Sequence, residues 1–179
     1  MQLNLFSVPI FIGNIDSKKL KFTNQKTQPS FASDVKTSIG TGEKNLREES
    51  AQYLVDLIVK LLEEKFKSPF RITLTNIWQN IYKKNDFQEK HIHIGSHFSF
   101  IIYDKIDVPK TLFFNPAYYL IESFYRESDG FKQGDICEVN FIPPCRKGQI
   151  IVFPSFLEHM VKKTSNAVTI SGNINFKFI

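Results

Sequence analysis

The stretch that decides the fold is QEKHIH at residues 88–93, together with a second histidine-containing segment, FPSFLEH, at residues 153–159. On a β-strand, His91 and His93 would point to the same face, because side chains alternate with a period of two. Their Cα atoms would then lie about 6.5 Å apart, close enough for both imidazoles to reach one ion. His159 would supply a third imidazole from a remote strand. The sequence therefore predicts a split metal site.

A His-x-His pair alone has a simpler interpretation, since half-buried or surface histidines are common on strands. The chain contains four histidines, and three of them fit the pattern of a metal site. Three facial ligands leave open positions for substrate or oxygen, as non-haem Fe(II) oxygenases require. Three neutral imidazoles with a bound water also suit zinc. The residues alone do not decide whether the metal is iron or zinc.

Four further segments accompany the histidines in order: LFSVPI at 5–10, IWQNI at 77–81, SFIIY at 99–103 and VTISGNIN at 168–175. With these segments, the chain resembles a family of 2-oxoglutarate and Fe(II) dependent oxygenases found in bacteria and their phages. That family shows Leu-Phe-x-x-Pro-Ile, Trp-x-Asn, His-x-His-Pro, Ser-Gly-x-x-Tyr, Phe-Pro-Ser-(Trp)-Leu-x-His and a closing Arg-x-Ser-x-Ser-(Phe or Gly)-Asn strand. The resemblance runs over nearly the whole chain.

The resemblance implies a mainly β fold, a double-stranded β-helix (jelly roll) with one buttressing N-terminal helix and a metal near one mouth. It implies an oxygenase that hydroxylates an unknown substrate, with Fe(II) as cofactor and 2-oxoglutarate as cosubstrate. The implied metal ligands are His91, His93 and His159. Tyr103 is the expected hydrogen-bond donor to the cosubstrate. Further pocket residues are expected at Asn80, Thr169 and Ser171.

The last strand breaks the family pattern, because Ala167 stands where the arginine is expected. By resemblance, that arginine would bind the far carboxylate of 2-oxoglutarate through a bidentate, charge-assisted pair. Lys162 and Lys163 are the expected substitutes, and Arg71 is a further candidate. Because the arginine is missing, two other classes of protein are also compatible with the sequence. One is a non-catalytic viral or bacterial jelly-roll interaction protein, and the other is a zinc hydrolase or lyase with a three-histidine site.

Two carboxylates and the fourth histidine lie near the predicted ligands. Strand parity places Glu89 on the same face as His91 and His93, and Glu158 adjoins His159 in sequence. Each carboxylate can act as a ligand, orient an imidazole or remain solvated, and we expect one of the last two roles. His97 is expected to lie outside the ligand cluster.

Length and composition predict one domain over residues 1–179, since 179 residues that are 42% hydrophobic can bury one substantial core. We expect an N-terminal strand and loop region over 1–45, a helix over 46–67 and a β core over 70–179. The helix is predicted because apolar residues recur at three- and four-residue steps and a proline follows them. These residues are Leu54, Leu57, Ile58, Leu61, Leu62 and Pro69.

Residues 118–134 are expected to form an insertion that acts as a lid or as a surface loop. The net charge of +5 suits an anionic cosubstrate or nucleic acid, but the basic residues are spread along the chain, which disfavours nucleic acid. The sequence leaves undecided whether the protein forms a homo-oligomer.

No apolar run approaches the roughly 18 residues that a membrane crossing needs, and the N-terminus lacks a basic leader. Cys137 and Cys145 are therefore expected to be reduced. We expect a cytoplasmic protein, in the host cytoplasm if the chain is viral.

Overall fold

The computed structural model describes residues 7–23, 26–30, 35–41, 46–119 and 139–179. These residues form one α-helix, one short 3-10 helix (Ser17–Lys19) and eleven strands. The elements are β1 (Phe11–Asn14), β2 (Gln28–Pro29), β3 (Lys36–Thr37), α1 (Glu48–Leu62), β4 (Phe70–Tyr82), β5 (Gln88–His91), β6 (Phe98–Lys105), β7 (Thr111–Phe114), β8 (Asn140–Phe141), β9 (Gln149–Pro154), β10 (His159–Val161) and β11 (Ala167–Phe178).

Within the described ranges, the strands form two antiparallel sheets. Seven strands follow the order β1-β9-β6-β11-β4-β3-β2, and four follow the order β5-β10-β7-β8. Neighbours in the sheets are mostly distant in sequence, as in β9 beside β6 and β10 beside β5. The inner faces of the two sheets share one apolar cluster, in which Phe113 and Val161 of the small sheet pack with Tyr103 and Ile151 of the large one. The predicted jelly roll is confirmed.

Helix α1 covers the outer face of the large sheet. Leu54, Ile58 and Leu62 are fully buried there against an apolar cluster that includes Ile102 and Ile170. The helix begins at Glu48 and ends at Leu62, which is shorter at both ends than the predicted range 46–67. None of the helices in the described ranges has the length and apolarity that a membrane crossing requires.

Some predicted features fall partly or wholly outside the described residues. The expected insertion over 118–134 is one of them, since the structure describes only its first two residues, and Cys137 is another. At the N-terminus, the first described strand is β1 at Phe11–Asn14, and residues 1–6 lie outside the described part.

Candidate metal centre and adjoining cavity

Three imidazoles meet between the two sheets. His91 ends β5, and His159, which begins β10, is its direct cross-strand partner. The ring centroids of these two residues lie 4.3 Å apart, and His93 lies 5.1 and 5.2 Å from them. One potential ligand atom from each histidine lies within 4.8 Å of the other two. Among the described residues, this is the one cluster of histidine, cysteine or acidic side chains with such spacing.

His93 reaches the cluster by a route that strand parity did not predict. The sequence had suggested that His91 and His93 share a strand. Strand β5 ends at His91, so they do not. Instead, the N–H of His93 donates to the carbonyl of Ser155 over 3.0 Å, and the N–H of Ser155 donates to the carbonyl of His97 over 3.0 Å. This backbone pairing ties the segment after β5 to the turn that precedes β10. The turn thereby fixes the backbone from which the His93 side chain reaches the cluster.

The backbone also selects the tautomers of the other two histidines. His91 Nδ1 lies 2.7 Å from the carbonyl oxygen of Glu89, and His159 Nδ1 lies 2.9 Å from that of Leu157. Because a carbonyl can only accept, each Nδ1 carries the hydrogen and each neutral ring keeps its lone pair on Nε2. Histidines that bind metals commonly donate their second nitrogen in this way. Both rings are therefore prepared as Nε2 ligands.

Burial keeps His93 and His159 neutral. His159 is only 2% exposed, and burial, followed by repulsion from His91, lowers its pKa to about 3, against the opposing effect of the bond to Leu157. Burial and repulsion from His91 lower the pKa of His93 to about 4. A protonated imidazole cannot ligate a metal. At neutral pH both lone pairs are available.

Aromatic rings hold the histidines in place. The rings of Phe113 and Phe153 lie 5.6 and 4.9 Å from His159, and the ring of Trp78 lies 5.5 Å from His93. Trp78 is the single tryptophan of the chain. The rings limit rotation of the imidazoles and provide a built-in fluorophore next to the centre.

A narrow polar cavity extends from the histidines between the sheets. Most of its large-sheet wall is formed by alternate residues of β4 and β11. They form three cross-strand pairs: Ser171 with Trp78, Thr169 with Asn80, and Ala167 with Tyr82. Strand parity explains this wall, since every second side chain faces inward. The rest of the wall is made by Gln88, Ile101, Tyr103, Ile106, Lys110, Thr111, Val161 and Thr164, together with the three histidines.

Four of the predicted pocket residues line this cavity: Asn80, Tyr103, Thr169 and Ser171. All four are buried. The phenol of Tyr103 donates to Thr111 Oγ1 over 3.0 Å, and burial raises its pKa, against the opposing effect of that bond. Burial also raises the pKa of Tyr82, whose hydroxyl donates to Gln88 Oε1 over 3.1 Å. Both phenols thus stay protonated at neutral pH.

The structure does not bring the predicted cations to the cavity. Lys162, Lys163 and Arg71 are exposed and lie outside its wall. The lysine in the wall is Lys110, which directly precedes β7. Sequence reasoning missed Lys110, Thr164, Tyr82 and Gln88. Of these, Tyr82 had a signal, because it follows Trp78 and Asn80 at the strand period.

The two nearby carboxylates lie outside the histidine cluster. Glu89 is absent from the cavity wall because β5 carries a register irregularity against β10, where Gln88 pairs with Val161 and His91 with His159. This irregularity breaks the parity on which its placement rested. Glu158 instead forms an ion pair with Lys90, with 2.9 Å between Oε2 and Nζ.

His97 also lies outside the cluster. Its Nδ1 accepts from the backbone N–H of Phe176 over 3.2 Å. That nitrogen therefore pairs with the backbone near the C-terminal end of β11.

Comparison with known proteins identifies the arrangement. Residues 76–173 match the family described as "Putative 2OG-Fe(II) oxygenase". Among solved structures, the fold is similar to a 2OG-Fe(II) oxygenase family oxidoreductase from Burkholderia pseudomallei, with 14% identity, 84% of this chain and 73% of that chain covered, and a TM-score of 0.54. It is also similar to a Pseudomonas putida prolyl-4-hydroxylase, with 14% identity, coverage of 83% and 76%, and a TM-score of 0.51.

A third similar structure is HygX from Streptomyces hygroscopicus with nickel, 2-oxoglutarate and hygromycin B bound, at 9% identity, coverage of 94% and 82%, and a TM-score of 0.54. At these identities the structural likeness concerns the fold alone. No curated protein matches the sequence. The family match spans more than half of the chain, and the fold and the three imidazoles agree with it. The protein therefore belongs to the 2OG-Fe(II) oxygenase family and is an oxygenase that uses Fe(II) and 2-oxoglutarate.

Proposed function

We propose that this oxygenase is a hydroxylase in which His91, His93 and His159 hold Fe(II) and the adjoining cavity holds 2-oxoglutarate. The observation that carries the proposal is the convergence of three imidazole ligand atoms within 4.8 Å at one end of a buried polar cavity. Three facial ligands leave three positions for the cosubstrate and oxygen.

The donor set fits Fe(II), because imidazole nitrogen suits divalent iron as well as zinc. Three neutral imidazoles leave the full +2 charge on the metal, since the third ligand is not a carboxylate. Such a centre favours an anionic chelator. The cavity supports iron with 2-oxoglutarate over zinc with water alone, because its wall offers buried hydroxyl and amide groups at Asn80, Thr169 and Ser171.

When bound, Fe(II) and 2-oxoglutarate supply the oxidising chemistry, in which oxidative decarboxylation of the 2-oxo acid is coupled to activation of dioxygen and hydroxylation of a C–H bond. The protein itself contributes orientation and exclusion of water. Glu89 and Leu157 hold two imidazoles through their carbonyls, and Phe153 and Trp78 shield the cluster. Asn80 provides a hydrogen bond to the cosubstrate, and Tyr103 does so once its phenol exchanges the bond to Thr111 for one to the cosubstrate.

We also propose that residues 1–179 form one jelly-roll domain, and that this phage or bacterial protein works in the cytoplasm. Cys145 is a free, buried thiol. Burial also raises its pKa to about 11, which keeps it protonated and unreactive.

Metal binding is the direct test. Protein prepared without a histidine tag should bind one Fe(II) or Co(II) per chain under anaerobic conditions, and the metal should quench the fluorescence of Trp78. Addition of 2-oxoglutarate to the Fe(II) form should produce a metal-to-ligand charge-transfer absorption band. Under air, the same sample should convert 2-oxoglutarate slowly to succinate even without substrate.

Two outcomes would overturn the proposal. Tight retention of zinc with no response to 2-oxoglutarate would identify a hydrolase or lyase. Absence of stoichiometric metal under all these conditions would identify a non-catalytic interaction protein.

A further inference from the structure

The cavity has a far end that is distinct from its histidine end. Trp78 and Ser171 lie beside His93, whereas Ala167 and its partner Tyr82 lie four residues further along β11 and β4. Four residues of a strand span roughly 13 Å. In the small sheet, β10 runs from His159 to Val161, which pairs with Thr111. Both sheets thus lead from the metal ligands to the end where the family's arginine is replaced by Ala167.

One cation lies at this far end. Among the lysines and arginines of the described residues, Lys110 alone lines the cavity, and no described aspartate or glutamate does so. Its ammonium donates to the carbonyl of Lys163 over 3.0 Å. An ammonium has three donors, so this contact positions the group without exhausting it. The carbonyl belongs to the turn between β10 and β11, and it holds the ammonium of Lys110 at the exposed rim of the cavity's far end.

A hydroxyl at the same end lacks a partner. Thr164 is 4% exposed, and its Oγ1 is buried without a hydrogen-bond partner among the described residues. The backbone of Thr164 is fixed, since its N–H donates to Asp86 over 3.0 Å and its carbonyl accepts from Asn85 over 2.8 Å. An unpaired buried hydroxyl is destabilising, because nothing replaces the hydrogen bonds that it loses to water. Such a group, held in place in a cavity wall, points to a ligand.

We propose that Lys110 and Thr164 bind the far carboxylate of 2-oxoglutarate, in place of the arginine that Ala167 has replaced. The inference rests on the proposed function and adds the residues that select a dicarboxylic 2-oxo acid. Lys110 supplies the charge and Thr164 a hydrogen bond, while the exposed lysines of the β10–β11 turn contribute only the carbonyl of Lys163. A lysine offers a point charge instead of a planar fork, so 2-oxoglutarate should bind more weakly than it would to a bidentate arginine.

The test compares 2-oxoglutarate with 2-oxovalerate, which has the same chain length and the same chelating head but ends in a methyl group. Binding of each acid to the anaerobic Fe(II) protein is followed by calorimetry and by the charge-transfer band. The parent should prefer 2-oxoglutarate. Lys110→Met should weaken 2-oxoglutarate binding about 10- to 100-fold, as expected for loss of a charge-assisted hydrogen bond, and should leave 2-oxovalerate binding within about twofold of the parent.

Two variants complete the series. Thr164→Val keeps the shape of the side chain and should weaken 2-oxoglutarate about 3- to 10-fold, as expected for a neutral hydrogen bond, again without effect on 2-oxovalerate. Lys162→Met is the matched control, because this lysine lies two residues from Thr164 but is exposed outside the cavity. It should bind both acids like the parent.

The inference is overturned if Lys110→Met binds 2-oxoglutarate as the parent does, or if it loses affinity for both acids equally, which would show a structural role only. Either result leaves the proposed function intact. A parent protein that gives no band and no heat with either acid overturns the proposed function and this inference with it.

Discussion

The two faces of strand β11 perform different tasks. On the outer face, Ile170 and Ile174 pack beneath α1 in a cluster that is apolar throughout. On the inner face, Thr169 and Ser171 are equally buried but line the cavity. The difference teaches that neighbouring residues on one strand can serve stability and binding separately. Substitutions on the outer face should therefore change the free energy of unfolding, and substitutions on the inner side should change ligand binding.

The largest expected effect belongs to the inner side. His159→Ala should abolish stoichiometric binding of Fe(II) or Co(II), because a three-ligand site has no spare donor. Co(II) should raise the melting temperature of the parent and leave that of the variant unchanged. His91→Ala and His93→Ala should behave alike, whereas His97→Ala should bind metal normally. Stoichiometric metal in the His93 variant would instead identify a carboxylate as the third ligand.

The outer face should show the converse behaviour. Ile58→Ala should reduce the free energy of unfolding by about 2 to 5 kcal/mol, since it removes a fully buried side chain from the core. Denaturant unfolding measures this loss, and the metal affinity of the folded fraction should not change. Leu57→Ala should cost less, because Leu57 is only partly buried against the same cluster. Equal costs at both positions would show that α1 presents Leu57 and Ile58 equally to the sheet.

A smaller effect is expected where the outer face is most tightly packed. Gly172 pairs with Phe100 on β6, and a Cβ at position 172 would meet the Phe100 ring and lie 2.6 Å from the carbonyl oxygen of Asn76. Gly172→Ala should therefore destabilise the protein by about 1 to 3 kcal/mol through overpacking. In a double-mutant cycle with Phe100→Ala, part of that cost should disappear. Strict additivity would contradict the contact with the ring.

The Gly172–Phe100 contact also explains a departure from the family pattern. The glycine that follows serine in Ser-Gly-x-x-Tyr is replaced by Phe100, and the last strand carries glycine at a position where the family has phenylalanine or glycine. Because the two residues are cross-strand partners, one ring fills the space that both positions share. The sequence alone showed the substitution without its compensation.

Prediction from sequence succeeded where residue chemistry limits the choices. Four histidines, two in alternation, left few ways to build the cluster, and the pocket residues implied by the family resemblance, Asn80, Thr169 and Ser171, lie in the cavity wall. It failed where the position of a side chain depends on contacts between segments that are distant in sequence. Glu89 does not share the inward face of His91 as predicted, because the pairing of β5 with β10 is irregular. Lys110 had no signature among 23 basic residues, because its position depends on a turn that lies more than fifty residues away.

The helix illustrates an intermediate result. Its apolar periodicity predicted the element and its approach to the sheet, but periodicity gives only a broad stripe. In the structure, the centre of that stripe lies on Leu54, Ile58 and Leu62, while Leu57 and Leu61 lie at its edges. Which residues lie at the centre of the stripe depends on packing against β-strands that are distant in sequence. The sequence of the helix alone does not specify that packing.

The smallest effect tests whether the two ends of the cavity are as independent as their construction indicates. Ala167 lies on the inner face at the far end, beside Tyr82. Introducing Ala167→Arg into Lys110→Met should restore 2-oxoglutarate affinity about tenfold, equivalent to about 1.4 kcal/mol, because an arginine at this position returns a cation to the far carboxylate. Affinity for 2-oxovalerate should not recover, since that acid has no second carboxylate.

Metal affinity serves as the control for this rescue. It should be the same in the parent, the single variant and the double variant, because Ala167 lies four residues along the strand from Ser171, the layer next to His93. A change in metal affinity, or rescue that extends to 2-oxovalerate, would show that the far end acts on the histidines through the cavity wall. In that case the separation between a metal-binding end and a carboxylate-binding end would not hold.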